Sequence, residues 1–259
     1  MDKSNPKMAL IPSILVVAGT DPTGGAGIVR DIETTAHFQI KASLAITSVN
    51  VQNNNHVAEI APMSGKFVAA QMQVALEANP ISAIKIGMTG TQEIIAEICN
   101  ILKNYNHIPV VLDPVFVASS GGRLTTEKII EIMNNKLLPH IDILTPNMKE
   151  LALLSQSPLA SNHQEAMQQA KKLLSLGPRY ILVKGGHADG PFATDSLISQ
   201  TEVINISASR LKGTMRGTGC LLSSAIATRL ALNETMTDAV KNAKAYIHTL
   251  LLTHCQKDH

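Results

Sequence analysis

A glycine-rich segment that leads directly into a helical pattern is the part of this sequence with the clearest chemical potential. The segment is Gly217-Thr218-Gly219-Cys220, and residues 221–230 after it are strongly helical in composition. The first N–H groups of a helix have no partners within it, and together with the helix dipole they attract anions. The same field favours the thiolate of Cys220. The segment therefore predicts a phosphate site, although an ordinary helix start with a buried, inert cysteine is the alternative.

Two acidic residues that follow apolar runs could bind a cation. Glu150 comes three residues after Asn147, so on a helix the two side chains share a face. A carboxylate beside an amide suits Mg²⁺, which keeps several waters and takes few protein ligands. Asp113, just before Pro114, offers a second carboxylate. The alternatives are a helix cap at Asn147 and a simple turn at Asp113.

A second glycine-rich segment lies near the start of the chain, and neither familiar nucleotide motif explains it. Gly19 and Gly24 have the spacing of a Walker A loop, but Gly25 and Ala26 stand where that loop has Lys and Ser or Thr. The dinucleotide pattern G-x-G-x-x-G is also absent. The loop is either a place where a ligand approaches bare backbone, followed by a helix that carries Asp31, or a turn that needs positive φ.

Composition excludes several classes of protein. The net charge of +2 is too small for a nucleic-acid surface, and no apolar run approaches the length of a membrane span. The histidines are not grouped at metal-ligand spacing, and no Gly-x-Ser-x-Gly elbow is present, so zinc sites and acyl-transfer hydrolases have no support. Three cysteines without a CxxC pair favour a reducing compartment. We expect a cytoplasmic protein that binds neither nucleic acid nor membranes.

The elements that must position these residues alternate between strands and helices. Short apolar runs predict strands at 13–18, 43–49, 83–86, 110–112, 141–144 and 180–183. A pair of antiparallel edge strands is expected within 194–206. Helical patterns lie between them, one of them after a Ser64 N-cap. The pattern predicts an α/β fold with a mostly parallel central sheet and helices on both faces, in a single domain 13–259 after a tail 1–12. Ligands should bind where the parallel strands end.

Taken together, seven segments in register resemble the hydroxymethylpyrimidine/phosphomethylpyrimidine kinase family of thiamine biosynthesis, of the ribokinase-like superfamily. The segments are Ala18-Gly-Thr-Asp-Pro-Thr-Gly-Gly-Ala-Gly-Ile28, Val51-Gln-Asn53, Lys85-Ile-Gly-Met88, Leu112-Asp-Pro-Val115, Leu144-Thr-Pro-Asn147 with Glu150, Lys184-Gly-Gly-His187 and Gly217-Thr-Gly-Cys220. The resemblance implies a ribokinase-like fold, ATP with Mg²⁺, a possible homodimer and two successive phosphorylations. The first makes the monophosphate of 4-amino-5-hydroxymethyl-2-methylpyrimidine, and the second makes the diphosphate.

The resemblance also implies roles for individual residues. The pyrimidine pocket would comprise Gly19, Asp31, Gln52, Met88, Val115 and Cys220. The Mg-ATP side would comprise Asn147 and Lys184, with Asp113 and Glu150 directed at the metal, and the anion hole would comprise Gly217, Thr218, Gly219 and Cys220. A carboxamide such as Gln52 can match the donor and acceptor of an aminopyrimidine edge. Cys220 could accept the hydroxymethyl proton.

Two residues depart from the family pattern. Arg216 stands where the family usually has His, and Ser119 stands where it commonly has Lys. One positive charge is thus lost at 119 and gained at 216, so Arg216 could bind phosphate, or it could be an exposed loop residue. Two other functions stay open at this point: a pyridoxal kinase of the same fold, and a non-catalytic ligand-binding or regulatory protein that kept the fold.

Overall fold

The computed structural model describes residues 11–116, 125–185, 190–211, 213 and 215–257. Strands and helices alternate along these residues as the sequence predicts. The strands are β1 (Ser13–Ala18), β2 (Lys41–Ile46), β3 (Ser48–Gln52), β4 (Val57–Pro62), β5 (Ile81–Ile86), β6 (Val110–Leu112), β7 (Ile143–Leu144), β8 (Tyr180–Val183), β9 (Phe192–Ile198) and β10 (Val203–Ser209). The α-helices are α1 (Gly27–His37), α2 (Gly65–Ala78), α3 (Gln92–Leu102), α4 (Glu127–Ile132), α5 (Met148–Leu154), α6 (His163–Leu174), α7 (Thr218–Ala231) and α8 (Met236–Lys257). A π-helical turn (Met133–Leu137) and a 3₁₀ turn (Leu138–His140) continue α4.

Eight of the strands form one twisted sheet in the order β10-β9-β8-β7-β6-β5-β1-β2. The six strands from β8 to β2 are parallel to one another. Strands β9 and β10 are antiparallel and close one edge, which confirms the predicted pair of edge strands. The mostly parallel central sheet predicted from the sequence is therefore confirmed.

The sheet is buried on both faces, and alternate residues of each strand supply the two cores. In β1, Leu15 and Val17 join a core with α2, α3, α5 and α6, whereas Ile14 and Val16 join a core with α1, α7 and α8. A strand that is buried on both faces consists of a continuous run of apolar residues. The sequences of these strands therefore do not alternate between apolar and polar residues. The prediction of helices on both faces is confirmed.

One predicted strand is wrong in its extent, because the apolar run 43–49 belongs to two different sheets. The chain leaves the large sheet at Thr47, whose N–H still donates to the carbonyl of Ala18 at 3.0 Å. The next residues form β3, which pairs antiparallel with β4 as a separate two-stranded sheet. In β3, Ser48 and Asn50 are buried while Val49 is exposed, an alternation that the neighbouring apolar residues conceal in the sequence.

The parallel register brings the ends of β1, β5, β6, β7 and β8 to one edge of the sheet. Gly19, Met88, Asp113, Asn147 and Lys184 follow those strands in the chain. The backbones of Asn147 and Lys184 form a further parallel bridge just beyond β7 and β8. Among the described residues, no helix is both long enough and apolar enough to cross a lipid bilayer.

Candidate active site

The first turn of α7 is held against the glycine-rich loop 19–27. Gly217, the residue before α7, has a φ of 74°, a left-handed conformation that side chains other than glycine rarely adopt. A Cβ atom on Gly217 would also lie only 2.5 Å from the carbonyl oxygen of Gly25. Glycine at 217 is therefore required twice, once by conformation and once by space. The free N–H groups at the start of α7 are thus presented at the carboxyl edge of the sheet, as predicted.

A carboxylate and an ammonium group lie directly beside this helix start. The Nζ atom of Lys184 is 3.1 Å from Oδ1 of Asp113 and 3.9 Å from Oε2 of Glu150. A Cβ atom on Gly219 would be 3.3 Å from Oδ2 of Asp113 and 3.5 Å from Nζ of Lys184. Burial lowers the pKa of Lys184, but the charges of Asp113 and Glu150 outweigh it and raise the pKa overall. The structure therefore gathers three predicted site residues and the anion-attracting turn in one place.

Asn147 and Glu150 form a reciprocal cap at the start of α5. The side chain of Asn147 accepts hydrogen bonds from the N–H groups of Lys149 (3.0 Å) and Glu150 (2.9 Å). In return, Oε2 of Glu150 accepts a hydrogen bond of 2.8 Å from the N–H of Asn147. Burial raises the pKa of Glu150 to about 7, against the lowering effect of Lys184. The helix-cap alternative is thus what the structure contains, and it leaves the second oxygen of Glu150 for another partner.

Cys220 lies in the first turn of α7 and is partly buried. Its thiol does not have the depressed pKa that the helix dipole alone would give. Burial raises the pKa of Cys220 to about 11, although the Lys85 ammonium and the N–H of Gly27 lower it. In the resting protein the thiolate of Cys220 is therefore not favoured, contrary to the expectation, because burial outweighs the Lys85 charge and the Gly27 hydrogen bond.

Asp31 is fully buried beneath the site instead of lining an open pocket. Both carboxylate oxygens bind Nζ of Lys85, at 2.8 and 2.9 Å, and Oδ1 also accepts a hydrogen bond of 2.6 Å from Ser224. The side chains of Asp31 and Lys85 are 0% exposed. In this arrangement no face of the carboxylate is open to a ligand, so the predicted contact between Asp31 and substrate has no support in the structure.

Lys85 is a site residue without a role among those predicted from the sequence, although the sequence carries a signal for it. Lys85 interrupts an otherwise apolar buried strand, and a lysine is almost never fully buried unless a carboxylate pairs with it. The predicted helix that carries Asp31 offers such a carboxylate. Only the structure shows that the two meet.

Of four other predicted substrate residues, two lie together at the loop after β1 and two lie on other segments. A Cβ atom on Gly19 would be 3.6 Å from Sδ of Met88, so those two residues are neighbours. The hydroxyl of Thr47 donates to the carbonyl of Met88 at 2.6 Å and fixes that backbone. Gln52 ends β3 and is partly exposed, and Val115 is half-buried in the turn after β6. The structure places Gly19 and Met88 together, with Gln52 on the separate two-stranded sheet.

Arg216 connects three segments of the site. Its Nη2 atom is 3.2 Å from Oδ2 of Asp21, and Nη1 is 3.4 Å from Oγ1 of Thr23, both in loop 19–27. Nη1 also donates to Oδ1 of Asn54, in the turn between β3 and β4. The guanidinium is therefore not an exposed loop group, and its contact with a phosphate stays a prediction. Ser119 lies outside the described residues, as does His187.

The residues at this edge fit a Mg²⁺ ion that is held mainly by phosphates and water. Among the described residues no group of three or more His, Cys, Asp or Glu side chains is placed to bind a metal alone. Asp113 and Glu150 nevertheless both lie within 4 Å of one cation, the Lys184 ammonium. Two carboxylates around one positive charge suit a cation that takes few protein ligands, as Mg²⁺ does in nucleotide sites.

Known proteins resemble this chain over nearly its whole length. The family model described as phosphomethylpyrimidine kinase matches residues 21–259. A hydroxymethylpyrimidine/phosphomethylpyrimidine kinase of Rhizobium meliloti is 36% identical over 238 residues, which make up 92% of this chain and 89% of the relative.

Solved structures agree with the fold. A phosphomethylpyrimidine kinase from Clostridium difficile superposes with a TM-score of 0.80 at 33% identity, covering 93% of this chain and 99% of that chain. A pyridoxal kinase from Staphylococcus aureus, solved in complex with AMP-PCP, superposes with a TM-score of 0.85 at 26% identity, covering 94% and 88%. These neighbours confirm the ribokinase-like α/β fold, and the nucleotide analogue in the second supports the use of ATP. On the match over residues 21–259 and the relative at 36% identity, the chain belongs to the phosphomethylpyrimidine kinase family.

Proposed function

We propose that the protein is an ATP-dependent kinase of thiamine biosynthesis. It phosphorylates 4-amino-5-hydroxymethyl-2-methylpyrimidine to the monophosphate and then to the diphosphate. One observation supports this most directly: the first turn of α7 stands beside Asp113 and Lys184 at the carboxyl edge of the sheet. Phosphoryl transfer needs positioning, oriented N–H donors and cations around the transferring group, and this arrangement offers each of them.

The charged residues divide between the two sides of the transfer. The N–H groups of Gly217, Thr218, Gly219 and Cys220 would face the oxygens of the transferring phosphoryl group. Lys184 would neutralise the phosphates of ATP, and Asn147 would sit beside them at the cap of α5. Asp113 and Glu150 would hold Mg²⁺, which supplies charge neutralisation of the phosphate chain when it is bound. Lys184, shared by both carboxylates, fixes their spacing before the cation arrives.

The acceptor side is formed by Gly19, Gln52, Met88 and Val115. Gly19 lets the pyrimidine approach the backbone beside Met88, and the amide of Gln52 reads the aminopyrimidine edge. The hydroxymethyl oxygen forms the new bond to the γ-phosphorus of ATP, and the bond from that phosphorus to the β–γ bridging oxygen breaks. ADP leaves with the electron pair, and the hydroxyl proton passes to Cys220 in the minor fraction of the protein in which this thiol is ionised.

A cytoplasmic location and a homodimer accompany this proposal. Three cysteines without a CxxC pair suit a reducing compartment. The homodimer rests on the fold resemblance alone.

A pyridoxal kinase is the second candidate. The Staphylococcus aureus pyridoxal kinase superposes with a TM-score of 0.85, as well as the pyrimidine kinase structure does. Pyridoxal also carries a hydroxymethyl group on a six-membered heteroaromatic ring, so the same edge of the sheet could accept it. The two substrates differ in the amino group that Gln52 would read.

A substrate panel tests the proposal. The purified protein is incubated with ATP and Mg²⁺ and, separately, with hydroxymethylpyrimidine, its monophosphate, pyridoxal and ribose, and the products are separated by chromatography. We expect phosphorylation of the first two, with Asp113→Asn as the inactive control. Turnover with pyridoxal or ribose alone would refute the substrate assignment. No turnover with any substrate would instead support a non-catalytic binding protein.

A further inference from the structure

A fully buried ion pair lies against α7, the helix whose first turn carries the proposed base. Lys85, in the middle of the sheet on β5, places its Nζ atom 2.8 and 2.9 Å from the two oxygens of Asp31 on α1. Both side chains are 0% exposed. Removing two charges from water costs several kcal/mol per ion, and an apolar pair of similar volume is often at least as stable. A pair buried in this way lowers the stability of the protein if it serves packing alone.

The position of the pair connects it to Cys220. Ser224 follows Cys220 by four residues on α7, so both side chains point from the same face of the helix. The Ser224 hydroxyl donates to Oδ1 of Asp31 at 2.6 Å, which places the pair against that face. A Cβ atom on Gly87, just beyond β5, would lie 3.0 Å from Nζ of Lys85. The ammonium thus extends toward the carboxyl edge of the sheet, where Cys220 begins its helix.

We propose that Lys85 is a positioning residue for the reaction: its ammonium, fixed by Asp31, stabilises the thiolate of Cys220 that accepts the proton of the substrate hydroxyl. This rests on the proposed function, in which Cys220 is the base. The thiolate takes the proton as the hydroxyl oxygen bonds to phosphorus, and the resulting thiol later returns the proton to water. Lys85 stays charged and touches neither substrate nor nucleotide.

The charges around Cys220 come from several elements, and they do not act in one direction. Lys85 on β5 and the N–H of Gly27 on α1 lower the pKa of the thiol, whereas Asp31 on α1 and Asp113 after β6 raise it. The charge of Cys220 also raises the pKa of Lys184, which follows β8. Because Lys85 and Asp31 oppose one another, removing Asp31 should lower the pKa of the thiol, whereas removing Lys85 should raise it. The second effect is the smaller, because burial already raises the pKa of Asp31 and its carboxyl takes up a proton when Lys85 is absent.

The opposite effects of Lys85 and Asp31 on the pKa of Cys220 provide a test, because a pair that served packing alone would not produce them. Four proteins are compared: wild type, Lys85→Met, Asp31→Asn and the double variant. The rate of alkylation of Cys220 by iodoacetamide is measured at pH 8 by peptide mass spectrometry, which resolves Cys220 from the other two cysteines. Only the thiolate reacts, so the rate reports the ionised fraction.

We expect Asp31→Asn to accelerate alkylation about tenfold, since removing one neighbouring charge moves a pKa by about one unit. Lys85→Met should slow it, and the double variant should react at about the same rate as Lys85→Met, because the buried carboxyl of Asp31 takes up a proton once Lys85 is absent. Slower alkylation in both single variants, or an Asp31→Asn variant no faster than wild type, would overturn the proposal. If Lys85→Met fails to fold, the comparison of wild type, Asp31→Asn and the double variant still decides it.

Lys244→Met is the matched control. Lys244 on α8 pairs with Asp195 on β9, with Nζ 2.7 Å from Oδ2, and both side chains are about one-tenth exposed. The substitution removes the same ammonium from another buried pair, and we expect no change in the alkylation rate of Cys220. A change as large as that of Lys85→Met would show that any lost buried pair disturbs the thiol.

Kinetics then separate this inference from the proposed function. With hydroxymethylpyrimidine, Lys85→Met should lower kcat about as much as it lowers the alkylation rate, with KM nearly unchanged, whereas Asp31→Asn should not lower kcat. A second outcome is that the alkylation rates of the variants change as expected while kcat does not. In that case Lys85 alters the pKa of the thiol, and the assignment of Cys220 as the base is wrong. If alkylation does not follow the charges, the role of Lys85 fails whatever the activity.

Discussion

The guanidinium of Arg216 lies 3.2 Å from the carboxylate of Asp21, although 195 residues separate the two in sequence. Asp21 is almost fully buried, and its other oxygen accepts hydrogen bonds from the backbone and hydroxyl of Thr23. Arg216 also binds Asn54 in the turn between β3 and β4. One side chain therefore ties together the anion-binding turn, the loop after β1 and the small sheet that carries Gln52.

Replacing Arg216 by Ala should impair both phosphorylations to a similar extent. Charge-assisted hydrogen bonds of this kind contribute about 1.5–3 kcal/mol each, so we expect kcat/KM to fall by about tenfold to a hundredfold with either acceptor. Steady-state kinetics with the pyrimidine and with its monophosphate measure this. Arg179→Ala is the control, because Arg179 pairs with Asp142 at the same 3.2 Å but precedes β8, at the opposite edge of the sheet.

A larger loss with the monophosphate than with the free pyrimidine would contradict this prediction. It would place the guanidinium on the phosphate of the acceptor, as the exchange of charges between positions 119 and 216 in the sequence suggests. In that case Ser119→Lys should restore part of the activity of Arg216→Ala.

Replacing Gly217 by Ala should destabilise the protein more than the same change at Gly24. Both glycines have nearly the same φ, 74° and 73°, so both substitutions cost about 1 kcal/mol of left-handed strain. Only at 217 does the new Cβ meet a carbonyl oxygen at 2.5 Å, whereas at 24 the nearest atom is 3.5 Å away. We expect an extra loss of about 1–3 kcal/mol in the free energy of unfolding by urea. Equal losses would mean that the chain relaxes around the clash.

Glu150→Gln should change how the stability of the ligand-free protein depends on pH. The folded-state pKa of Glu150, about 7, lies above its ordinary value of 4.5. The folded protein therefore holds this proton more tightly than the unfolded chain, and wild type loses stability as pH rises from about 4.5 through 7. Relative to the Gln variant, wild type should lose about 2 kcal/mol between pH 5 and 8, measured by urea unfolding.

Glu165→Gln is the control for this effect. Asn162 and Glu165 cap α6 with the same spacing, but Glu165 is exposed, and hydrogen bonds from Ser161 lower its pKa. Its contribution to stability is present at neutral pH and is lost on acidification, which is the opposite sign. A Glu150 variant that behaves like the Glu165 variant would show that burial does not govern Glu150.

Gln52→Leu should weaken binding of the pyrimidine and leave ATP unaffected. A buried amino group of the ligand that loses its partner costs about 1–3 kcal/mol, which corresponds to about a tenfold to hundredfold rise in KM for the pyrimidine. Asn55→Leu, in the exposed turn of the same two-stranded sheet, is the control. A parallel rise in the KM for ATP would indicate that the substitution distorts the small sheet instead.

Cys220→Ala should retain pyrimidine binding while kcat falls by about a hundredfold or more, the usual contribution of a positioned base. Titration calorimetry measures binding, and a coupled ADP assay measures turnover. Turnover at nearly the wild-type rate would make Cys220 a structural cysteine at an ordinary helix start.

The sequence predicts the large sheet well because the strands buried on both faces leave an unmistakable apolar pattern. Lys85 and the run 43–49 show where prediction from the sequence fails. A local pattern shows that Lys85 needs a partner, but the partner, Asp31, lies 54 residues earlier in the chain. The switch of sheets at Thr47 depends on hydrogen bonds to Ala18 and Met88, which are likewise distant in sequence.

The order of the strands also determines when the site can form during synthesis. Strand β1 emerges from the ribosome first, yet it pairs with β5, and the pair of Lys85 and Asp31 is covered only when Ser224 arrives. Residues 217–220 are translated after every other residue of the site. A nascent chain released before α7 would therefore leave the Lys85–Asp31 pair uncovered on that side and would lack the phosphate-binding turn.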